Sequence, residues 1–551
     1  MVRRMLFRNL RFLFKRKCDF TGKQIFSVFH PDVPVRVYDD TNPTLKEKID
    51  PLSFGMPYNQ HQTFLKQLYE LSRAIPWPSI PWTKYVSDSP YATGGWLKNC
   101  YLCFNAGYDE NCAYSVTLES GRECYDTDYS SRSELCSNSV NIHNCYQTHF
   151  SVDCNSCRNV WLSRDLKNCT DCFGSAGLRN KRYCIFNEQK TKGEYAEFLV
   201  KTKTNSRAAF DALRLKALEI WNKTPVKFAS MTSAVNCTGD YIRDSSNAKI
   251  SFFTNRVQDS AFCQLAAYGP VANSYDAIYV GINANFIYDT SECGVNVSNI
   301  KFCWEMIECH HMEYCMFCEN CSDCFGCVGL SNKQYCVLNQ QYSKDEYESL
   351  IERIKSDMRL NPYVDKTGRS YAYGEFFPSE FSFNAYNESS AWEFFPMDRD
   401  SSESAGFTWR SAPSRDLNGE KLIDAPDSPD SFNVTGSGII RCADDGKCNH
   451  QCSERFLYLP AEVDFYKRAK LPLPDKCFNC RHMERMYFIR PFRITKRSCR
   501  CDGATSKNRD YSNTAVHFHG VHPCPNEFET SYAPDRPEII YCEQCYNAEI
   551  A

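Results

Sequence analysis

The sequence predicts a β-rich α+β chain. Two tandem cysteine-rich solenoid repeats of the parallel β-helix kind, with helical connectors, lie between a degenerate ribbon at the amino end and two cysteine ribbons at the carboxyl end. Three observations predict it. CFGSAGLRNKRYCIFN from Cys172 returns as CFGCVGLSNKQYCVLN from Cys324, an offset of 324 − 172 = 152. In the first copy, cysteines at 100, 112, 124, 136, 145, 154 and 169 are separated by 12 or 9 residues with one longer interval, and the stretches around them read as short strands divided by Ser, Asp, Asn and Gly turns. FETSYAPDRPEIIYCEQC from Phe528 matches IFSVFHPDVPVRVYDDTN from Ile25 without a gap, because 528 − 25 and 542 − 39 are both 503.

A chain of 551 residues has room for about three to five units. Its net charge of −3 excludes a body coated in basic residues, so basic charge is local. Residues 1–17 form a basic arm with seven Arg or Lys, Arg3, Arg4, Arg8 and Arg11 among them, and no acid. That pattern suits a phosphate backbone or an anionic membrane surface, and a solvated arm is the plainer reading. Arginines interrupt its apolar residues too often for a signal peptide, and no later stretch reaches about 18 apolar residues, so a soluble, cytoplasmic protein is expected. A reducing compartment gives the 33 cysteines packing or metal roles rather than disulfides, and 33/551, about 6%, lies below the roughly 8–10% of a disulfide scaffold.

Residues 18–45 form the degenerate ribbon. Pro31, Asp32, Pro34 and Tyr38 repeat Pro534, Asp535, Pro537 and Tyr541, but Asp39 and Asn42 stand where Cys542 and Cys545 should be. The four ligand positions there are Cys18, Thr21, Asp39 and Asn42, one thiol of four, so Ile25, Phe29, Val37 and Tyr38 must hold the hairpin by packing. A helical connector spans 46–95, the solenoid copies 96–190 and 231–342, a helical linker 191–230 and a further helix 343–360. The helices after each copy start with the matching pairs Glu194–Tyr195 and Glu346–Tyr347, and Leu350, Ile351 and Ile354 continue the second at helical spacing. An antiparallel meander is the competing geometry for the copies. Residues 361–441, rich in Pro, Ser, Asp and Gly, should wrap the body as irregular chain.

Buried cysteine packs as a small hydrophobe, which is the plain reading of the ladder. The sharper reading is metal at Cys315, Cys318, Cys321, Cys324 and Cys327, five cysteines three apart in the manner of an iron–sulfur run, with His310 and His311 nearby. Subtracting 152 gives Ser163, Leu166, Cys169, Cys172 and Ser175, so the first copy could not ligate such a cluster.

Residues 442–490 carry Cys448-x3-Cys452 and Cys477-x2-Cys480, two short pairs with the spacing of a four-thiolate zinc ribbon, with Cys442 and His450 as spare ligands. Zinc is preferred because soft thiolates in two knuckles favour a tetrahedral ion. Residues 491–551 form a second zinc ribbon with Cys524, Cys542 and Cys545. Val521 occupies the place of its fourth ligand, which must come from Cys501, Cys499, His519 or His522, with Cys501 favoured for its thiolate. Two structural zinc ions are expected.

The segment CNHQC…ERFLYLPAEVDFYKRAKLPLPDKCFNCRHMER resembles a zinc-ribbon domain through Phe456, Glu462, Phe465, Tyr466, Cys477, Cys480 and Arg481, although its first knuckle is longer by one residue. More widely, TGKQIFSVFHPDVPVRVY, DCFGCVGLSNKQYC, GEFFPSEFSFNAYNES and YAPDRPEIIYCEQCY are similar to those of a family of cysteine-repeat, zinc-ribbon proteins from uncultivated small-genome bacteria. That resemblance implies a soluble zinc-ribbon protein and no particular activity.

The chain has no GxxxxGK[ST] phosphate loop, GxSxG elbow or HExxH helix, and thiolate-rich sets look closed rather than catalytic. A non-catalytic binding protein is expected. RNA, DNA or a ribonucleoprotein would engage Arg3, Arg4, Arg8, Arg11, Arg481, Arg485, Arg493, Lys496 and Arg497, with Tyr487, Phe488 and Phe492 interleaved for stacking. A protein-interaction scaffold built on a β-helix is the alternative, and a carbohydrate-active or metal-dependent enzyme the third reading.

Overall fold

The computed structural model describes every residue except Leu10, Trp82, Ala267, 412–420, 434–437 and Ala551. The chain is β-rich, with eleven α-helices among the described residues. It forms two compact units whose segments interleave in sequence. The first comprises Met1–Pro81, Ala229–Arg410 and Pro491–Ile494, and the second Trp82–Phe228, Ser411–Arg490 and Thr495–Ala551.

Each unit contains one stack of parallel strands. In the second unit Thr148 pairs with Val160, Val160 with Cys172 and Cys172 with Cys184, a constant step of twelve residues. In the first unit Met312 pairs with Cys324 and Cys324 with Cys336 at the same step, which widens to thirteen at Ala284–Val297 and fourteen at Val257–Val271. The pairing is parallel, so the antiparallel meander does not form. Strands Lys84–Ser87 and Gly94–Lys98 already belong to the second unit's stack, which therefore starts ahead of residue 96. Ala92 and Leu97 fill the inward places of those courses, which is why no cysteine announced them.

The local cause is a period of three. Every third residue from Asn99 to Asp171 has φ between 47° and 59°, and the residue after it turns inward. Left-handed backbone costs an ordinary L-residue roughly 1 kcal/mol or more, and Asn and Asp bear it best. Gly174 and Gly326, repeated at the offset of 152, continue this pattern at φ +62° and +64°, where a Cβ would also strike the rings of Phe186 and Phe64. With an inward residue at every third position, the interior is filled mostly by Cys, Ser, Thr, Ala, Val and Leu, with Ile142, Ile287, Ile300, Met306 and Met312 among them. Ser151 and Ser163 hydroxyls accept the amides of Ser163 and Ser175 one course on, each with its own O–H donated back to a carbonyl. Thiols act likewise: Cys124 Sγ lies 3.3 Å from the Ser133 carbonyl and Cys309 Sγ 3.3 Å from that of Cys318.

This settles the geometry of the five-cysteine run. Cys315, Cys318, Cys321, Cys324 and Cys327 are successive inward residues, Cys327 directly one course beyond Cys315. Their thiols lie 3.3 to 3.6 Å from main-chain carbonyls two residues back, and they are not among the groups whose ligand atoms converge. Spacing by three is the interval between inward residues here.

Both stacks end alike. A hairpin turns Cys184 back onto Gln189 and Cys336 onto Gln341, then a capping box, Thr191 with Glu194 or Ser343 with Glu346, opens the helix Lys192–Lys201 or Lys344–Leu360. The wrapping segment docks through buried Phe376, Phe377, Phe381, Phe383 and Trp392, while its parts 412–420 and 434–437 lie outside the described residues.

Each unit also has a ribbon hairpin. Phe14–Lys17 runs antiparallel to Gln24–Ser27 in the first unit, and Thr495–Ser498 to Glu527–Thr530 in the second. A short strand then pairs in parallel with a segment just past a helix: Val37–Tyr38 with Trp77–Pro78 after Phe64–Ala74, and Ile540–Tyr541 with Val226–Lys227 after Arg207–Lys223. The hairpins differ in their connections, 18–23 in one and 499–526 in the other.

Residues 1–17 are not a solvated arm. Val2–Met5 is helical, Met5, Leu6 and Phe7 are buried, and the arginines meet acids far along the chain. Arg4 donates to Asp289 at 2.6 Å and Asp276 at 2.7 Å, Arg8 reaches Glu292 at 2.8 Å, Arg11 donates to Glu393 at 2.8 Å, and Arg3 lies 5.2 Å over the Tyr371 ring.

Candidate metal centres

In the second unit two groups of four sulfurs converge. Cys442, Cys452, Cys477 and Cys480 form one, their ligand atoms all within 4.8 Å. Cys442 follows the strand Ile439–Arg441, Cys452 precedes Arg455–Phe456, and Cys477 and Cys480 sit at the start of the helix Phe478–Met486. A helix N-terminus favours thiolate, and the amides of Cys477 and Glu454 point at Cys442 Sγ (3.3 Å) and Cys452 Sγ (3.2 Å). Hydrogen bonds from Cys442, Cys452 and Cys480 push the Cys477 thiol below its usual range. Cys448, expected in this set, lies 3.5 Å from Cys480 but groups with Asp444 and His450, while Cys442 takes its place. The strand pairing of Ile440 with Phe456 fixes that choice by bringing Cys442 up to Cys452.

The other group is Cys499, Cys524, Cys542 and Cys545, all buried. Cys524 lies 3.6 Å from Cys545 and 3.9 Å from Cys542, and the Cys542 amide points at Cys499 Sγ at 3.2 Å. The favoured Cys501 is therefore displaced by Cys499, which follows directly on the strand Thr495–Ser498, and Cys501 falls in a separate group with His517, His519 and Cys545. His522 contributes its carbonyl to His519 Nδ1 at 2.6 Å, and its ring is in neither group. Four thiolates closing around a soft tetrahedral ion would leave it no exchangeable position.

The first unit's hairpin shows the same four places without the ligands. By strand register Cys18 corresponds to Cys499 and Thr21 to Cys524, and Asp39 and Asn42 follow Val37–Tyr38 as Cys542 and Cys545 follow Ile540–Tyr541. Lys23 Nζ stands 3.5 Å from Asp39 Oδ2. Burial alone would raise Asp39, but hydrogen bonds from Thr41 and the charge of Lys23 hold its carboxyl below the usual range. Asn42 instead caps the helix Pro43–Lys48.

The cations expected to meet nucleic acid are largely committed elsewhere. Arg481 pairs with Asp126 at 2.6 Å and Glu462 at 3.0 Å, and Arg485 with Asp126 and Asp128, both at 2.7 Å, all with side chains at most 5% exposed. His482 Nδ1 lies 3.0 Å from Asp128. Burial would raise Asp128, but Arg485 and His482 outweigh it and hold it down to about 2, whereas burial lifts Glu462 to about 7 against the pull of Arg481. Arg497 donates to the Ala533 carbonyl at 2.8 Å; Arg493 and Lys496 are exposed. Sequence reading missed Asp126, Asp128 and Glu462 as partners because nothing local marks an acid as buried.

A cleft of about 840 Å³ in the second unit is lined by Asp88, Glu123 and Asp464, with Glu123 bonded to Arg468 at 2.5 Å. No described helix is long and apolar enough to cross a membrane. No protein-family model matches the chain, and no curated protein or solved structure matches it either.

Proposed function

We propose that the chain is a non-catalytic scaffold. Each parallel stack is a four-sided β-solenoid whose basic coil has twelve residues, lengthened by one or two in part of the first unit's stack; the two are related by duplication, and the two four-cysteine sets each hold a structural zinc ion. The observation that carries this reading is the buried arginine–carboxylate contact between each stack and a ribbon or terminal segment of its own unit: Arg481 and Arg485 on Asp126 and Asp128, and Arg4 on Asp289 and Arg8 on Glu292. Guanidinium groups paired in dry sites cannot be lent to phosphates without leaving a carboxylate buried and unpaired. Of the two binding readings this favours a protein partner over nucleic acid. The motifs quoted above support grouping the chain with the cysteine-repeat zinc-ribbon proteins of uncultivated small-genome bacteria.

The test uses the intact protein. Pull-down after nuclease treatment should retain a defined protein partner, and affinity for single-stranded RNA or duplex DNA should be weak at both 50 and 200 mM salt. Tight binding that falls steeply with salt would overturn the scaffold reading and assign the contact to exposed cations such as Arg493 and Lys496.

A further inference from the structure

Beside the set Cys499, Cys524, Cys542 and Cys545 lies a second convergent group, Cys501, His517, His519 and Cys545, with ligand atoms again within 4.8 Å. The two share Cys545. We propose that the carboxyl-terminal ribbon holds two metal ions bridged by the Cys545 thiolate, the second bound by Cys501 Sγ, His517 Nδ1 and His519 Nε2. This goes beyond the structural zinc proposed above and rests on that reading of the four-sulfur set.

The histidines carry the argument. His517 is 5% exposed, and its Nε2 lies 3.0 Å from Glu549 Oε1. A neutral imidazole that donates from Nε2 has a lone pair on Nδ1, and this Nδ1 is buried with no hydrogen-bond partner. An unsatisfied buried acceptor beside two thiols is a group that a cation would satisfy, and the carboxylate on the far nitrogen is the usual partner of a metal-bound histidine. His519 uses the opposite nitrogens to the same end. Its Nδ1 donates to the His522 carbonyl at 2.6 Å, which leaves the Nε2 lone pair facing Cys545 Sγ, 3.3 Å away. Cys501 Sγ lies 3.2 Å from Asn513 Nδ2, an amide donor suited to a thiolate.

The supporting shell is built around Glu549. It accepts from the amides of Thr514 (2.9 Å) and Ala515 (2.9 Å), from the Thr514 hydroxyl (2.9 Å) and from the Tyr511 hydroxyl (3.2 Å), so the loop bearing both histidines is tied to the terminal helix Glu543–Ile550 that carries Cys545. Charge favours the pair as well. Five thiolates around one dication would leave −3 in a buried site, and a second dication reduces that to −1. Finally, Cys501, His517 and His519 all lie within 499–526, the long connection that the first unit replaces by 18–23.

A related group, Asp444, Cys448, His450 and Cys480, adjoins the other four-sulfur set and shares Cys480; Asp444 Oδ2 and His450 Nδ1 are likewise buried without hydrogen-bond partners.

The intact chain, loaded with 113Cd, should show resonances of four-sulfur type together with one of mixed sulfur–nitrogen type that is scalar-coupled to a four-sulfur neighbour through the shared thiolate. The double substitution His517→Ala and His519→Ala should remove the mixed resonance and about one equivalent of bound metal, while the four-sulfur signals remain. Four-sulfur signals without any mixed, coupled signal in the unsubstituted protein would overturn the inference and leave the structural reading intact. Absence of four-sulfur signals would overturn both. Full metal retention by the double variant would also overturn it, and the unsubstituted protein's spectrum decides the matter should the variant fail to fold.

Discussion

The two ribbon hairpins share a fold and differ in what fixes it. In the second unit, Cys499, Cys524, Cys542 and Cys545 converge where the strand ends meet. In the first, the same positions hold Cys18, Thr21, Asp39 and Asn42, and the lysine ammonium of Lys23 stands by Asp39. Ile25, Val28, Phe29, Val37 and Trp77 are buried there and hold the hairpin by packing. The hairpin, with its parallel contact to a strand past a helix, is the common element, and a convergent set of four sulfurs that could hold a metal closes only one of the two.

Chelation should break this symmetry most visibly. A structural four-thiolate zinc site contributes on the order of 10 kcal/mol to folding, so a strong chelator should raise hydrogen exchange sharply across Glu527–Thr530 and leave Gln24–Ser27 protected. Equal responses would mean that both hairpins are held by packing. Conversely, Thr21→Cys, Asp39→Cys and Asn42→Cys together with native Cys18 should give the first hairpin a zinc site. At zinc a thousandfold above Kd the gain in stability would be about 4 kcal/mol, read as a zinc-dependent rise in denaturation midpoint. No dependence on zinc would show that the backbone there is not ribbon-like at the ligand places.

The docking contacts should come next. Asp128→Asn leaves Arg485 buried beside one fewer charge and should cost roughly 3 kcal/mol at neutral pH by chemical denaturation. Because the Asp128 carboxyl is held down to about 2, below its usual value near 4, its contribution is complete above that usual range and is lost as pH falls towards 2. The gap between wild type and variant should therefore narrow between about pH 4 and pH 2; a constant gap would point to packing rather than charge. The smallest effect is expected inside a stack. Cys315→Ser should cost about 1 kcal/mol and change no metal content, since the thiol serves as a small interior donor. Loss of iron or zinc with that substitution would restore the five-cysteine run as a cluster.

Much of the hairpin was legible because 503 is a gapless offset, and the stack because its cysteines recur. The period of three was hidden in plain arithmetic. Steps of 12, 9 and 15 share that divisor, but Ser115, Leu118 and Thr127 occupy intermediate inward places and disguise it. The choice of Cys499 over Cys501 could not be read linearly, because only strand register places the shorter connection 18–23 against 499–526. Charge counting misplaced the amino-terminal arginines for a different reason. Their partners lie 272, 285 and 382 residues away for Asp276, Asp289 and Glu393, and no local pattern links such positions.

The interleaving of the two units has a consequence for how the protein is made. Residues 1–81 leave the ribosome before the stack to which they belong, which begins only at Ala229, and the other stack is synthesised in between. At about 5–20 residues per second that interval is on the order of ten seconds. During it Met5, Leu6 and Phe7 have no native cover, and the parallel stack completed first belongs to the other unit. The acids that Arg4 and Arg8 meet at Asp276, Asp289 and Glu292 are made only with the later stack, so the native place of the amino-terminal segment is completed late.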